Sequence, residues 1–234
     1  MRRIACSFLA GLLMASWACG AQAGAWMRGE GEGFALAYTT LRQSQATAAD
    51  AATLPSWDAK LYLEYGVRSW LTLGVDAFET GGSYGQVLGF ARLPISRPDA
   101  RLKLAGEVAL GQYHDAEGVW RGMSKLTLSA GHGFNFDWSG QGWWALDAAV
   151  ENRPTQNDPL YKLDATLGAA PWQRLRPVIK IETAYLPGDP FIWGVTPGVL
   201  ISGRNGLTWA VGVDYRSVAG LQAGGLRFET WWAF

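Results

Sequence analysis

The ten residues Gly225-Leu226-Arg227-Phe228-Glu229-Thr230-Trp231-Trp232-Ala233-Phe234 set Leu226, Phe228, Thr230, Trp232 and Phe234 on one side of an extended chain. Successive side chains of a strand point to opposite faces, so the segment reads as a β-strand with one largely apolar, aromatic face. A helical face would space its apolar residues three and four apart, and here they stand two apart.

Working outward, the same period recurs along the chain. Ala59, Leu61, Leu63 and Tyr65 alternate with Asp58, Lys60, Tyr62 and Glu64; Leu146, Ala148 and Val150 alternate with Asp147, Ala149 and Glu151. Leu207, Trp209, Val211, Val213 and Tyr215 oppose Thr208, Ala210, Gly212, Asp214 and Arg216. Twelve such segments are predicted, at 33–41, 57–66, 70–79, 84–93, 101–112, 122–132, 143–152, 160–168, 177–186, 192–202, 207–216 and 223–234. A β-sandwich also alternates, but its second face meets bulk water. Here that face is crowded with Gly, Ala, Ser and Thr between isolated charges, which suits a confined lumen. Trp57, Trp70, Trp120, Trp143, Trp144, Trp172, Trp193 and Trp231 fall near segment ends, as two aromatic girdles at bilayer interfaces would place them. The predicted fold is all-β: a single antiparallel transmembrane β-barrel of twelve strands, with ten as the fallback count.

The chain has 234 residues, zero net charge, 17% charged residues and 49% hydrophobic ones. Its 13 Trp and zero net charge exclude a disordered chain, and the lack of a basic excess argues against a nucleic-acid partner. Arg2 and Arg3 precede an uncharged, largely apolar run from Ile4 to Cys19, and Ala21-Gln22-Ala23 is a small-x-small cleavage pattern. Residues 1–23 are therefore expected to be a cleaved secretory signal peptide and 24–234 the barrel. Cleavage removes both cysteines, Cys6 and Cys19, and leaves eighteen basic against twenty acidic residues, a net charge of −2. Beyond Gly24 no apolar run approaches the 18 residues of a transmembrane helix.

An even strand number puts both termini at one end, expected to be periplasmic. Turns at that end are expected at 67–69, 94–100, 133–142, 169–176 and 203–206, the last built on Asn205-Gly206. Loops at the other end are expected at 42–56, 80–83, 113–121, 153–159, 187–191 and 217–222. The first contains the bland stretch Ala46 to Ala52. Pro197 interrupts the tenth segment, where a bulge is expected.

The expected lumen-lining set carries both signs. Its bases are Lys60, Arg92, Lys103, Lys125, Lys162, Lys180, Arg216 and Arg227; its acids are Glu64, Asp76, Glu107, Asp147, Glu151, Asp164, Glu182, Asp214 and Glu229. Such a lining serves either a hydrated channel or an ion-paired plug bracing a narrow barrel. His114-Asp115 and His132 lack the partners a hydrolase needs for a base and nucleophile, and neither histidine has Ser two residues on. Gly29-Glu30-Gly31-Glu32-Gly33 precedes no helix, so it is not a phosphate loop, and it reads as a flexible lead to the first strand. No catalytic, cofactor or metal site is expected.

The closing segment, through Phe228, Trp232 and Phe234, resembles the C-terminal strand that the assembly machinery reads in Gram-negative outer-membrane barrels. The mature chain as a whole resembles the small barrels of that membrane. Gly24-Ala25-Trp26 and Leu61-Tyr62-Leu63-Glu64-Tyr65-Gly66 are similar to stretches in small proteobacterial outer-membrane proteins. Size and strand count are similar to monomeric twelve-stranded channels for acidic oligosaccharides or nucleosides, but their basic tracks have no counterpart in this balanced lumen. The resemblance implies an outer-membrane location and contact with membrane lipids, lipopolysaccharide and the barrel-assembly machinery. The expected function is passive passage of a small polar solute. A sealed structural or export-associated barrel is the alternative, and a loop-rim hydrolase a third reading.

Overall fold

The computed structural model describes residues 24–44, 55–136, 140–170 and 174–234. The expected leader, the Ala46 to Ala52 stretch and Trp172 lie outside the described residues. Twelve strands run in chain order: β1 (Gly33–Ser44), β2 (Ser56–Arg68), β3 (Leu71–Thr80), β4 (Tyr84–Pro94), β5 (Leu102–His114), β6 (Trp120–Phe136), β7 (Gly140–Asn152), β8 (Leu160–Ala170), β9 (Leu175–Tyr185), β10 (Ile192–Ser202), β11 (Leu207–Val218) and β12 (Leu221–Ala233). Each pairs antiparallel with its successor, and β1 pairs with β12 to close the barrel. At the seam, Gly33 and Phe234 exchange both backbone hydrogen bonds, at 2.6 and 3.0 Å. Closure leaves no unpaired sheet edge, which a strand structure needs in lipid.

The period-two pattern assigns the two faces. Leu61, Leu63, Leu73, Val75, Val108, Leu110, Leu126, Leu128, Leu163 and Val213 point outward and are exposed, a belt of branched aliphatic side chains around the wall. Trp57, Trp120 and Trp193 mark one end of this belt, and Trp70, Trp232 and Phe234 the other. A water-soluble protein does not cover itself in a continuous apolar surface of this kind, so the barrel spans a bilayer. No helix among the described residues is long and apolar enough to cross a membrane.

Two expected girdle residues belong elsewhere. Trp143 and Trp231 are buried inside the barrel, 6% and 5% exposed. Each shares the parity of an inward acid on its own strand, Asp147 and Glu229 respectively, so proximity to a strand end did not decide the face. Trp231 donates its indole N–H to Glu229 Oε2 at 2.6 Å, and Phe34 meets it edge to face.

No bulge forms at Pro197. The register of β10 on β11 is the same at Val195↔Tyr215 and at Gly198↔Gly212, and the pairing simply lapses between them, while that with β9 runs through Pro197↔Ile179. The missing proline N–H is thus a gap in one ladder, beside which Thr196 donates its hydroxyl to Asp214 Oδ2 at 3.0 Å. The register shift recorded among the described strands lies between Gly66 and Arg68.

A second lapse has a different cause. Between β8 and β9 the pairing breaks from Lys162↔Ala184 to Ala165↔Ile181. There the Thr183 hydroxyl donates to the Leu163 carbonyl at 2.7 Å and accepts its N–H at 3.2 Å, while the Asp164 carboxylate accepts the Thr183 N–H at 3.1 Å. Side chains have replaced main chain as the seam.

Candidate functional site

The barrel interior is the candidate site, and its first occupant is the chain's own N-terminal segment. Residues 24–32 form a strap inside the lumen. Arg28 donates its Nε–H to Glu64 Oε2 at 2.5 Å and its backbone N–H to Thr72 Oγ1 at 3.2 Å, and its guanidinium lies over the Phe34 ring. Ala25 is almost fully buried, and Trp26 lies against Gly131 of β6, where any side chain would collide with the indole. At the other end of the strap the chain reverses into β1. The Gly31 N–H donates to the Gly66 carbonyl and the Gly66 N–H to the Glu32 carbonyl, both at 2.9 Å. A Cβ at Gly66 would overlap the Gly29 carbonyl, so glycine there permits the fold-back. The Gly-Glu-Gly-Glu-Gly segment expected to be a loose lead is instead a pinned turn.

Around the strap, charges are tied into networks. On one wall Arg92 contacts both Glu64 and Glu107, the latter at 2.6 Å, and Tyr62 donates to Glu64 Oε1 at 2.7 Å. Lys60 and Lys125 grip the two oxygens of Asp76 at 3.0 and 2.8 Å. Arg153 and Lys162 divide Glu151 between them, each at 2.7 Å. On the facing wall Arg42 bridges Asp58 and Asp214. Arg227 binds Glu182 and Glu229, both at 2.9 Å; Lys180 binds Glu229 at 2.6 Å, and Arg216 stands 3.5 Å from Asp58. A buried charge is tolerated only when paired and hydrogen-bonded, and these networks meet that condition almost throughout.

Of the expected lining residues, all but one take part in this interior. The exception is Lys103, whose ammonium donates to the Pro98 carbonyl at 2.6 Å in the turn before β5, an exposed contact at the barrel's end. Asp147 and Asp164 face inward but make no ion pair among the described residues. The interior also holds charges the sequence reading left out: Arg28, Arg42, Asp58 and Arg153. Arg42 follows Tyr38 and Thr40 at the same parity, so extending the first strand by one residue would have found it. Asp58 was in the pattern, opposite Leu61 and Leu63. Arg153 likewise follows Asp147, Ala149 and Glu151 at the same parity, one residue past the expected seventh segment, whereas Arg28 lies outside any alternating run and nothing local marks it.

Between the networks lies a cavity of about 490 Å³, bordered by Gly24, Tyr38, Lys60, Asp76, Tyr84 and Glu182 among others. The residues at hand offer no group of three or more metal-ligating side chains among those described.

The histidines sit on the outer face. His114 Nε2 lies 2.9 Å from Glu79 Oε2, over Gly85, and its ring meets Trp120 edge to face. Next to it, desolvation pushes the Asp115 carboxyl up, but the hydrogen-bonded Arg121 guanidinium and the Glu117 amide outweigh it and hold the group below the usual carboxylate range. His132 donates Nδ1–H to the Arg101 carbonyl at 2.9 Å at the opposite end. Phe228, Trp232 and Phe234 all project outward and are about half exposed, at 48%, 47% and 56%.

No family model matches the chain, and no curated protein matches it by sequence. Solved structures do. The KdgM porin superposes with a TM-score of 0.57 at 9% identity, covering 86% of this chain and 99% of its own. The NanC porin superposes with a TM-score of 0.55 at 9% identity, covering 85% and 98%. The fold is that of the small twelve-stranded porins. A KdgM porin in complex with disordered oligogalacturonate matches equally, with a TM-score of 0.55 at 9% identity over 86% and 99%.

Proposed function

We propose that the protein is a passive channel of the Gram-negative outer membrane for a small polar solute. The observation that carries this reading is a cavity of about 490 Å³, bordered by charged and aromatic side chains, inside a closed barrel whose outer surface is apolar. The end bearing both termini faces the periplasm, and the protein reaches the membrane as residues 24–234 after its leader is removed. Phe228, Trp232 and Phe234 present to the assembly machinery the aromatic face it reads. Lipid and lipopolysaccharide surround the belt.

The lining favours solutes that carry both signs or none. In the cavity Lys60 and Lys125 stand with Asp76, and Arg216 and Arg227 with Glu182, so no stretch of wall offers an uncompensated basic track. An acidic oligosaccharide such as the oligogalacturonate held by a KdgM porin would find its anion sites already occupied by this protein's carboxylates.

Planar-bilayer recording of the purified barrel tests the proposal. Discrete conductance steps with little preference between K⁺ and Cl⁻ are expected. A folded, heat-modifiable barrel that passes no current would overturn the channel and favour the sealed alternative, for which the strap and the paired charges are the specific argument.

A further inference from the structure

One lumen carboxylate, hydrogen-bonded by Ser129 across the β6–β7 ladder, has no ion-pair partner among the described residues, where most of its neighbours have one. Asp147 projects from the middle of β7 into the barrel, and its Oδ1 is shielded from solvent without a hydrogen bond among the described residues. Glu64, Asp76, Glu107, Glu151, Glu182, Asp214 and Glu229 each hold at least one cation. Beside its free oxygen lies Gly24. A Cβ built on Gly24 would stand 2.5 Å from Oδ1 and 3.0 Å from Oδ2. The backbone nitrogen is two bonds from that position, so a group carried there reaches the carboxylate by rotation about the last bonds of the chain.

In the unprocessed chain that nitrogen is a neutral amide. The sequence places a cleavage site immediately before it, after Ala21-Gln22-Ala23. Hydrolysis by a signal peptidase adds water across the Ala23–Gly24 bond, leaving a carboxylate on Ala23 and an amine on Gly24 that takes a proton from solvent. We propose that this new α-ammonium is the missing cation of Asp147, and that the pair fastens residues 24–32 as a strap across the lumen.

Geometry supports a built socket. The strap is anchored at its other end by Arg28 on Glu64 and by the Gly66 hydrogen bonds, and between them Ala25 and Trp26 pack on Gly131. A side chain at position 24 would press on the Asp147 carboxylate, so the space beside that carboxylate suits the bare end of the chain. A shielded carboxylate oxygen left without its cation is costly, so the pairing couples leader removal to the final packing of the interior. The inference requires cleavage after Ala23 and does not depend on conduction.

The test uses protein exported and processed by a Gram-negative host and purified as the folded barrel. Its intact mass should correspond to Gly24 as the first residue. The α-amine should react with an amine-specific reagent about a hundredfold more slowly than in the urea-unfolded chain, because the strap must open first. The pH dependence of that labelling should place the α-amine above its ordinary value of about 7.7–8.0, as an adjacent carboxylate favours the charged form. Asp147→Asn should restore labelling to within about tenfold of the unfolded rate, and Asp147→Glu should restore protection. A first residue other than Gly24, an unshifted wild-type α-amine, or protection unchanged in Asp147→Asn would each overturn the proposal. The wild-type titration decides it alone if the variant yields no barrel.

Discussion

Asp76 shows what a single lumen charge does. It is 3% exposed, and both its oxygens are engaged by lysines from neighbouring walls. Asp76→Ala leaves Lys60 and Lys125 facing each other without a counter-charge, and should destabilise the barrel by about 3–5 kcal/mol, read as a lowered urea midpoint in detergent. Asp76→Asn, which keeps the volume, should lose the charge compensation with less damage to packing. At this scale the sequence disclosed the side but not the partner. Alternation placed Asp76 inward without ambiguity. Lys60 is its diagonal neighbour in the β2–β3 hairpin, but that Lys125 reaches it from β6 follows only from how the wall curves, and neither spacing nor composition encodes that. Parity also misleads at strand ends, where Lys103 had the inward position but ran out of wall.

Strand existence was almost fully legible, because the lipid belt imposes the alternation on every crossing. Limits were less so: β6 runs from Trp120 to Phe136, well past the expected 122–132, since the aromatic residues Phe134 and Phe136 continue its outward face. The Ala219-Gly220 turn, both residues at positive φ, likewise shortens an expected six-residue loop to two. Invisible beforehand was the β8–β9 seam, where Thr183 and Asp164 substitute for ladder bonds. Thr183→Val removes the hydroxyl that both donates and accepts there. The amides of Leu163 and Thr183 should then exchange about tenfold faster, with amides in the β5–β6 ladder unchanged. The strap was equally hidden: its contacts are long-range, and its glycines read locally as looseness. Gly131→Val should drive Trp26 from its seat and enlarge the open-channel current, measured against wild type in the same salt.

For the whole molecule, the balance of lumen charge predicts weak ion selectivity. In a KCl gradient the reversal potential should lie near zero, and Lys60→Glu together with Lys125→Glu should move it toward the K⁺ potential. The three outward aromatics of β12 make a different prediction. Deleting Phe234 removes a hydrogen-bond partner of Gly33 and half of the ring pair with Trp232, and should lower the yield of heat-modifiable barrel in cells far more than in detergent refolding.

The β1–β12 seam has a kinetic corollary. Every other ladder joins strands adjacent in sequence, but the closing one joins residue 33 to residue 234, the longest loop closed by any ladder of the described strands. Forming it carries the largest loop-closure entropy of any pairing in the molecule and gives nothing back until both partners are present. Eleven hairpin steps can therefore accumulate as a curled ribbon before the ring closes. The wall changes from open to closed in one event, when the first strand of the barrel meets the last.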